Sequence, residues 1–177
     1  MHAPKLIRTE TVYRGRTFNL RVDEIELGPG RSTRLDIVEH TGAVTMLPLD
    51  SQNNIWFIRQ YRHSAGGVIL ELPAGTLGRA EDPLAGAARE LQEEIGMKAG
   101  KLEPLTSFWL APGYSTEYMH VFLATDLSPS KLEQDEDEMI AVEKIPPARA
   151  LALATLGELQ DSKSLVALYT AARKLGW

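Results

Sequence analysis

Three glutamates define the chemistry open to this chain. Glu90, Glu93 and Glu94 stand at i, i+3 and i+4 in the run PLAGAARELQEEIG, a spacing that places all three side chains on one face of a helix. The run has helical punctuation: Asp82 as an N-cap acid, Pro83 at the first helical position and Gly96 as a stop. Leu84, Ala87, Ala88, Leu91 and Ile95 recur at helical spacing as its apolar stripe. Like charges so spaced repel, and the negative end of the helix dipole adds to the penalty, each effect costing about a few tenths of a kcal/mol. Two arrangements relieve it: a solvated acidic face, or a divalent cation held by hard oxygen ligands on a rigid element. The residues alone leave both open.

The wider stretch Gly75–Met97, GTLGRAEDPLAGAARELQEEIGM, decides between them by resemblance. It resembles the Nudix box, G-x5-E-x7-R-E-U-x-E-E-x-G-U with U aliphatic. Gly75, Glu81, Arg89, Glu90, Leu91, Glu93, Glu94, Gly96 and Met97 fill every defined position. The resemblance implies an α/β chain with the Nudix fold, an α/β/α sandwich around a mixed sheet, with a small N-terminal antiparallel β unit. It implies a Mg2+-dependent pyrophosphohydrolase using two or more Mg2+ or Mn2+ ions. By position the ligands fall on Glu90 and Glu94, with Glu93 in support and the carbonyl of Ala74 as a backbone oxygen. Arg89 is expected to hold Glu81 and the loop; contact with phosphate is the alternative.

Segments outside the box resemble the ADP-ribose and nucleotide-sugar branch of that family. Ala111–Glu117, APGYSTE, is similar to the S-P-G-x-[ST]-x-E loop found downstream of the box, with alanine in place of the first serine, and assigns substrate contacts to Pro112, Gly113 and Glu117. Taken alone it is a turn between strands. Asp135–Glu138, DEDE, is similar to the D-E-x-E loop that carries this branch's catalytic base. That places the base on Glu136, with Glu138 as the alternative; a solvated acidic loop is the plainer reading. Gln60-Tyr61-Arg62 resembles a Q-x-R segment whose arginine contacts the diphosphate; a strand arginine pairing with an exposed acid is the alternative. Phe18 follows YRGRT much as an adenine-stacking aromatic follows Y-R-G in relatives, and Trp56, Trp109 and Tyr114 offer other aromatic faces.

The branch resemblance implies a substrate of the nucleoside diphosphate sugar class: ADP-ribose, cleaved to AMP and ribose 5-phosphate. A broader NDP-sugar range that includes GDP-mannose is the alternative. A non-catalytic ADP-ribose-binding module would be expected to lose box carboxylates, and all three are present. In this branch the N-terminal hairpin packs across the two-fold axis of a homodimer and completes the partner's site, so a homodimer is expected.

Composition agrees with a catalyst of small molecules. The 177 residues carry 19 Lys and Arg against 24 Asp and Glu, a net charge of −5, and no basic stripe suited to nucleic acid. There is no cysteine, which excludes disulfides and thiolate metal sites. No apolar run approaches the ~20 residues of a membrane span and the polar start is no signal peptide, so a cytoplasmic protein is expected.

The elements that must position these residues divide at Gly42. Residues 1–42 read as a β region, with a strand over Val22–Leu27, a turn at Gly28-Pro29-Gly30 and a second strand RLDIVEH. Residues 43–177 read as one hydrolase domain. There AVTMLPL, a polar turn over 50–54 and IWFIRQYR predict a hairpin, followed by strands at Val68–Leu72, Leu102–Leu110, Tyr118–Leu127 and Met139–Val142. Pro146-Pro147 opens a helix ending near Gly157, and Ser162–Leu175 predicts a last helix burying Leu165, Leu168, Tyr169, Ala172 and Leu175.

Overall fold

The computed structural model describes residues 3–133 and 139–177. The chain forms two compact units, one of Met1–Gly42 with Trp109–Tyr118, the other of Ala43–Phe108 with Met119–Trp177.

The first unit is an antiparallel sheet of β1 (Lys5–Arg14), β2 (Asn19–Gly28) and β3 (Arg31–Glu39), in that order. The expected hairpin is β2–β3, turned at Gly30 with φ +68°. The added strand β1 escaped the alternation rule for a visible reason. Its apolar residues come as adjacent pairs, Leu6-Ile7 and Val12-Tyr13, and the pairing with β2 shifts register between Leu6 and Arg8 and between Thr11 and Tyr13. Each bulge resets which face the next side chain takes. All ten residues of β1 are exposed. The Pro-Gly segment joins this unit through β3: Val38 N–H donates to the Tyr114 carbonyl at 2.7 Å, and Thr116 N–H to the Val38 carbonyl at 2.9 Å.

The second unit contains β4 (Ala43–Pro48), β5 (Ile55–Arg62), β6 (Gly67–Glu71), β7 (Ala74–Thr76), α1 (Pro83–Glu94), β8 (Met97–Trp109), β9 (Tyr118–Pro129), β10 (Ile140–Ile145), α2 (Pro147–Thr155) and α3 (Ser162–Leu175). The predicted β4–β5 hairpin is not a ladder. The two strands touch through one bridge, Leu49 to Ile55; β4 lies between β7 and β9 in one sheet, and β5 between β10 and β6 in another. Asp50 explains the divergence. Its carboxylate accepts from Gln52 N–H at 3.0 Å, Asn54 N–H at 2.9 Å and Trp56 Nε1–H at 2.9 Å, an Asx-type turn that reverses the chain without pairing what flanks it. With β4 parallel to β9 and antiparallel to β7, the sheet is mixed, as expected from the resemblance.

Strand alternation sorts the core into two layers. Ala43 and Leu47 of β4, Phe57 of β5, and Met119, Val121 and Leu123 of β9 pack with Ala150, Leu153, Ala167, Leu168 and Ala171 of α2 and α3. Val44 and Met46, Ile58, and Phe122 and Ala124 face the other way, onto Ala87 and Leu91 of α1. Helices therefore cover both faces of the strands. Two helix faces differ from the expected ones. Leu84 is exposed at 46%, and Gly86 with Ala87 takes its place against the sheet. On α3 the buried set is Lys163, Ser164, Ala167, Leu168 and Ala171, while Tyr169 and Leu175 are exposed. Ser164, Ala167 and Ala171 allow close approach to the strands, with Leu168 filling the core between them. Among the described residues no helix is long and apolar enough to cross a membrane.

Candidate active site

The box folds as a short strand, a loop and a helix. Asp82 caps α1 by accepting from Ala85 N–H at 3.1 Å, with Pro83 in the first turn. Gly96, at φ +66°, follows its last turn. Upstream, the backbone from Leu72 to Ala74 is held at each residue. Leu72 N–H donates to Ser164 Oγ at 2.7 Å, the Pro73 carbonyl accepts from Thr45 Oγ1 at 3.0 Å and Met46 N–H at 2.9 Å, and Ala74 N–H donates to Glu94 Oε2 at 2.8 Å. Glu94 thus reaches from α1 to the residue whose carbonyl the resemblance names as a ligand.

Gly75 completes this cradle. A Cβ there would stand 1.9 Å from Glu90 Cδ and Oε1, so the Glu90 carboxylate lies directly on the Gly75 backbone. Only glycine leaves that space. Glu90 and Glu94 are 9% and 2% exposed, and buried carboxylates require compensation.

Arg89 supplies part of it. Its Nη1 donates to Glu90 Oε1 and Glu93 Oε2, each at 2.7 Å, and its Nε to Glu81 Oε1 at 3.2 Å. Hydrogen bonds from Arg89 and from Gly78 N–H hold the Glu81 carboxyl below the usual range despite its burial. Burial would lower the Arg89 pKa, but its bonds to Glu81 and the charges of Glu90 and Glu93 outweigh that and raise it. Among the described residues no three acids or histidines converge in ligand geometry, and the Arg89 guanidinium stands among the box carboxylates. The donor set is nonetheless all hard oxygen, set on a helix and a backbone cradle, which suits a divalent cation such as Mg2+.

Gln60 and Arg62 occupy β5. Gln60 is buried, at 5% exposure. Arg62 makes a fork with the buried Glu71, Nε to Oε1 at 2.8 Å and Nη2 to Oε2 at 3.1 Å, and Glu71 also binds Lys163 Nζ. The acid pairing with the strand arginine is therefore buried, not at the surface. Trp56 does not present a bare face: its indole N–H bonds Asp50, and Lys144 Nζ sits 4.0 Å from its ring centroid.

The remaining substrate candidates belong to the first unit. Phe18 is 44% exposed beside Tyr13, with ring centroids 6.4 Å apart. Pro112 and Gly113 are exposed on their turn, and Glu117 N–H donates to Ser115 Oγ at 3.1 Å. Trp109 packs edge-on against Tyr118 at 4.8 Å, and Tyr114 is 59% exposed. Glu136 and Glu138 lie outside the described residues. Sequence reasoning missed Thr45, Glu71, Lys163 and Ser164; the visible sign was an acid, Glu71, set in the apolar run GVILEL.

Comparison with known proteins adds three findings. The NUDIX domain model matches residues 39–168. The ADP-ribose pyrophosphatase of Bacillus subtilis is 38% identical over 166 residues, 93% of this chain and 90% of that protein, and the methanol dehydrogenase activator of Bacillus methanolicus is 36% identical over the same shares. A solved structure, "Crystal structure of ADP compounds hydrolase", is similar with a TM-score of 0.88 and 26% identity, over 99% of this chain and 96% of that one.

Proposed function

The chain belongs to the Nudix family, and from that premise we propose that it is a divalent-metal-dependent pyrophosphohydrolase that cleaves ADP-ribose to AMP and ribose 5-phosphate. The observation that carries the reading is the Glu90 carboxylate seated on Gly75, beside the Glu94 bond to Ala74. The similarity to an ADP-ribose pyrophosphatase over nine-tenths of both chains supports the choice of substrate.

Glu90 and Glu94, with Glu93 and the Ala74 carbonyl, would hold two or more Mg2+ or Mn2+ ions. Bound there, the ions would neutralise the diphosphate and favour attack by water at one phosphorus. Glu136, with Glu138 as the alternative, takes the proton from the attacking water. Arg89 keeps Glu81 and the loop in register, and Arg62 meets the negative charge of the diphosphate with its planar donors. Phe18 stacks on the adenine, and Gln60, Pro112, Gly113 and Glu117 shape the rest of the substrate site.

The enzyme works in the cytoplasm as a homodimer through the N-terminal β region. Support for that interface is β1, where Leu6, Ile7, Val12 and Tyr13 are each more than half exposed, apolar surface of the kind that, where contiguous, marks an interaction site. Incubation with Mg2+ and a panel of NDP-sugars, with products identified by chromatography, tests the function. AMP released from ADP-ribose far faster than nucleotide from any competitor supports it. Equal turnover of GDP-mannose replaces it with a broader specificity, and no turnover favours a binding module.

A further inference from the structure

Between β6 and β7 the chain passes from one sheet to the other through Leu72 and Pro73, both buried. Neither residue belongs to a strand, and Pro73 has no N–H to give. A buried backbone group left unpaired costs about as much as a lost hydrogen bond, so the passage needs partners from outside the ladders. Two hydroxyls provide them. Ser164 Oγ, in the first turn of α3, accepts from Leu72 N–H at 2.7 Å and donates to Asp161, the cap of that helix. Thr45 Oγ1 donates to the Pro73 carbonyl at 3.0 Å, and the same carbonyl takes Met46 N–H at 2.9 Å. Thr45 and Ser164 are both 0% exposed. Thr45 stands among the six consecutive buried residues of β4, where a valine would fill the same space without burying a polar group.

The consequence falls on the next residue. Thr45 lies opposite Ala74 in the β4–β7 pairing. Hydrogen-bonded and non-bonded positions alternate along an antiparallel pair. With Met46 bonded to Pro73, the Thr45–Ala74 position is a non-bonded one, so Ala74 turns both its N–H and its carbonyl away from β4. The N–H is the group that meets Glu94 Oε2 at 2.8 Å, and the carbonyl leaves the strand on that same edge. The Pro73–Ala74 peptide plane is thereby pinned at both ends, its carbonyl by Thr45 and Met46 and its N–H by Glu94. The Ala74 carbonyl is the next group along the chain.

We propose that Thr45 and Ser164 are positioning residues for the divalent cation: acting through Pro73 and Leu72, they fix the backbone that aims the Ala74 carbonyl along the edge shared with Glu94. Groups that hold a metal's ligands in place are worth about 10–100-fold in metal affinity. The inference rests on the reading above that Ala74, Glu90 and Glu94 hold the cation.

The test is Mn2+ binding to the full-length protein without substrate, read from the electron paramagnetic resonance of free Mn2+, with thermal unfolding of the metal-free protein in parallel. Thr45→Val keeps the shape, removes the donor, and is expected to raise the Mn2+ Kd about tenfold. Thr45→Ser returns the hydroxyl and recovers most of that loss. Ser164→Ala raises Kd in the same direction. Thr155→Val is the control: it deletes a hydroxyl bonded to the Leu151 carbonyl at 2.9 Å on α2 and leaves Kd unchanged. A wild-type Kd in either Thr45→Val or Ser164→Ala overturns the proposal, because a lowered Tm alone marks a merely structural hydroxyl. Should one of the two fail to fold, the other decides. Glu90→Gln is expected to abolish the binding; a wild type that binds no Mn2+, or a Glu90→Gln protein that binds as before, removes the cation reading and the proposal with it. Failure of the hydrolase reading shows separately, as a wild type that binds Mn2+ but releases no AMP from ADP-ribose.

Discussion

Replacing Gly75 by alanine asks whether the position of the Glu90 carboxylate, and not merely its charge, is what the site requires. The added Cβ would stand 1.9 Å from Glu90 Cδ and Oε1 and 2.4 Å from Oε2, where ordinary contact begins at 3.4 Å. The carboxylate must therefore move by about 1.5 Å, the difference between 3.4 and 1.9 Å. The oxygen displaced is the one bonded to Arg89 Nη1 at 2.7 Å, so the ion pair is disturbed as well. Gly75 is not among the positive-φ glycines, which makes the effect steric and not conformational. Overpacking of this kind costs about 1–3 kcal/mol, or roughly 2–12 °C in Tm for a chain of this size. Misplacement by about 1 Å at a reacting centre costs about 100-fold in rate. The expected result is a fall in kcat/KM of about that size, together with a higher Mg2+ concentration for half-maximal rate. Gly67→Ala is the control, since its Cβ meets nothing within 4 Å. A Gly75→Ala enzyme with wild-type kcat/KM and wild-type Mg2+ dependence would refute the cradle as the anchor of the site.

Other perturbations separate the remaining roles. Glu136→Gln is expected to reduce kcat by orders of magnitude with KM little changed; full activity in that variant moves the base to Glu138 or beyond. Arg89→Met removes the cation shared by Glu81, Glu90 and Glu93. Because that side chain is 36% exposed, the loss is expected at about 1–3 kcal/mol, below the value for a fully buried pair. Saturating Mg2+ should recover part of the lost Tm, and an equal loss with and without Mg2+ counts against the site. Asp50 supplies a pH test. Burial raises its pKa, but the hydrogen bonds from Asn54, Trp56 and Gln52 outweigh that and hold it below the usual 3.8. A depressed folded pKa means stability present above the unfolded value and lost as pH falls through the folded one. Urea unfolding should therefore separate wild type from Asp50→Asn at neutral pH, with the gap beginning to close below pH 3.8 and vanishing once the pH is below the depressed folded value; a gap that does not shrink in acid contradicts the assignment.

Local order carries local information, and that is what the sequence determined by itself. Helix spacing alone puts Glu90, Glu93 and Glu94 on one face, and Asp82, Pro83 and Gly96 bound that helix through capping chemistry that acts within a few residues. The motif spacing that identifies the family lies inside 23 residues, Gly75 to Met97. The tertiary structure alone decided which strands are neighbours. β4 and β5 look like a hairpin because both are apolar on two faces, yet parallel pairing of β4 with β9, distant in sequence, claims one side of β4. It also decided where charge is compensated. The pairing of Arg62 with Glu71 spans nine residues and that of Lys163 with Glu71 spans 92, and no periodicity reports a contact across such a separation. Gly75 shows both sources at one position. The motif requires a glycine there, and the reason, a carboxylate resting where a Cβ would stand, exists only once α1 has packed onto the strand.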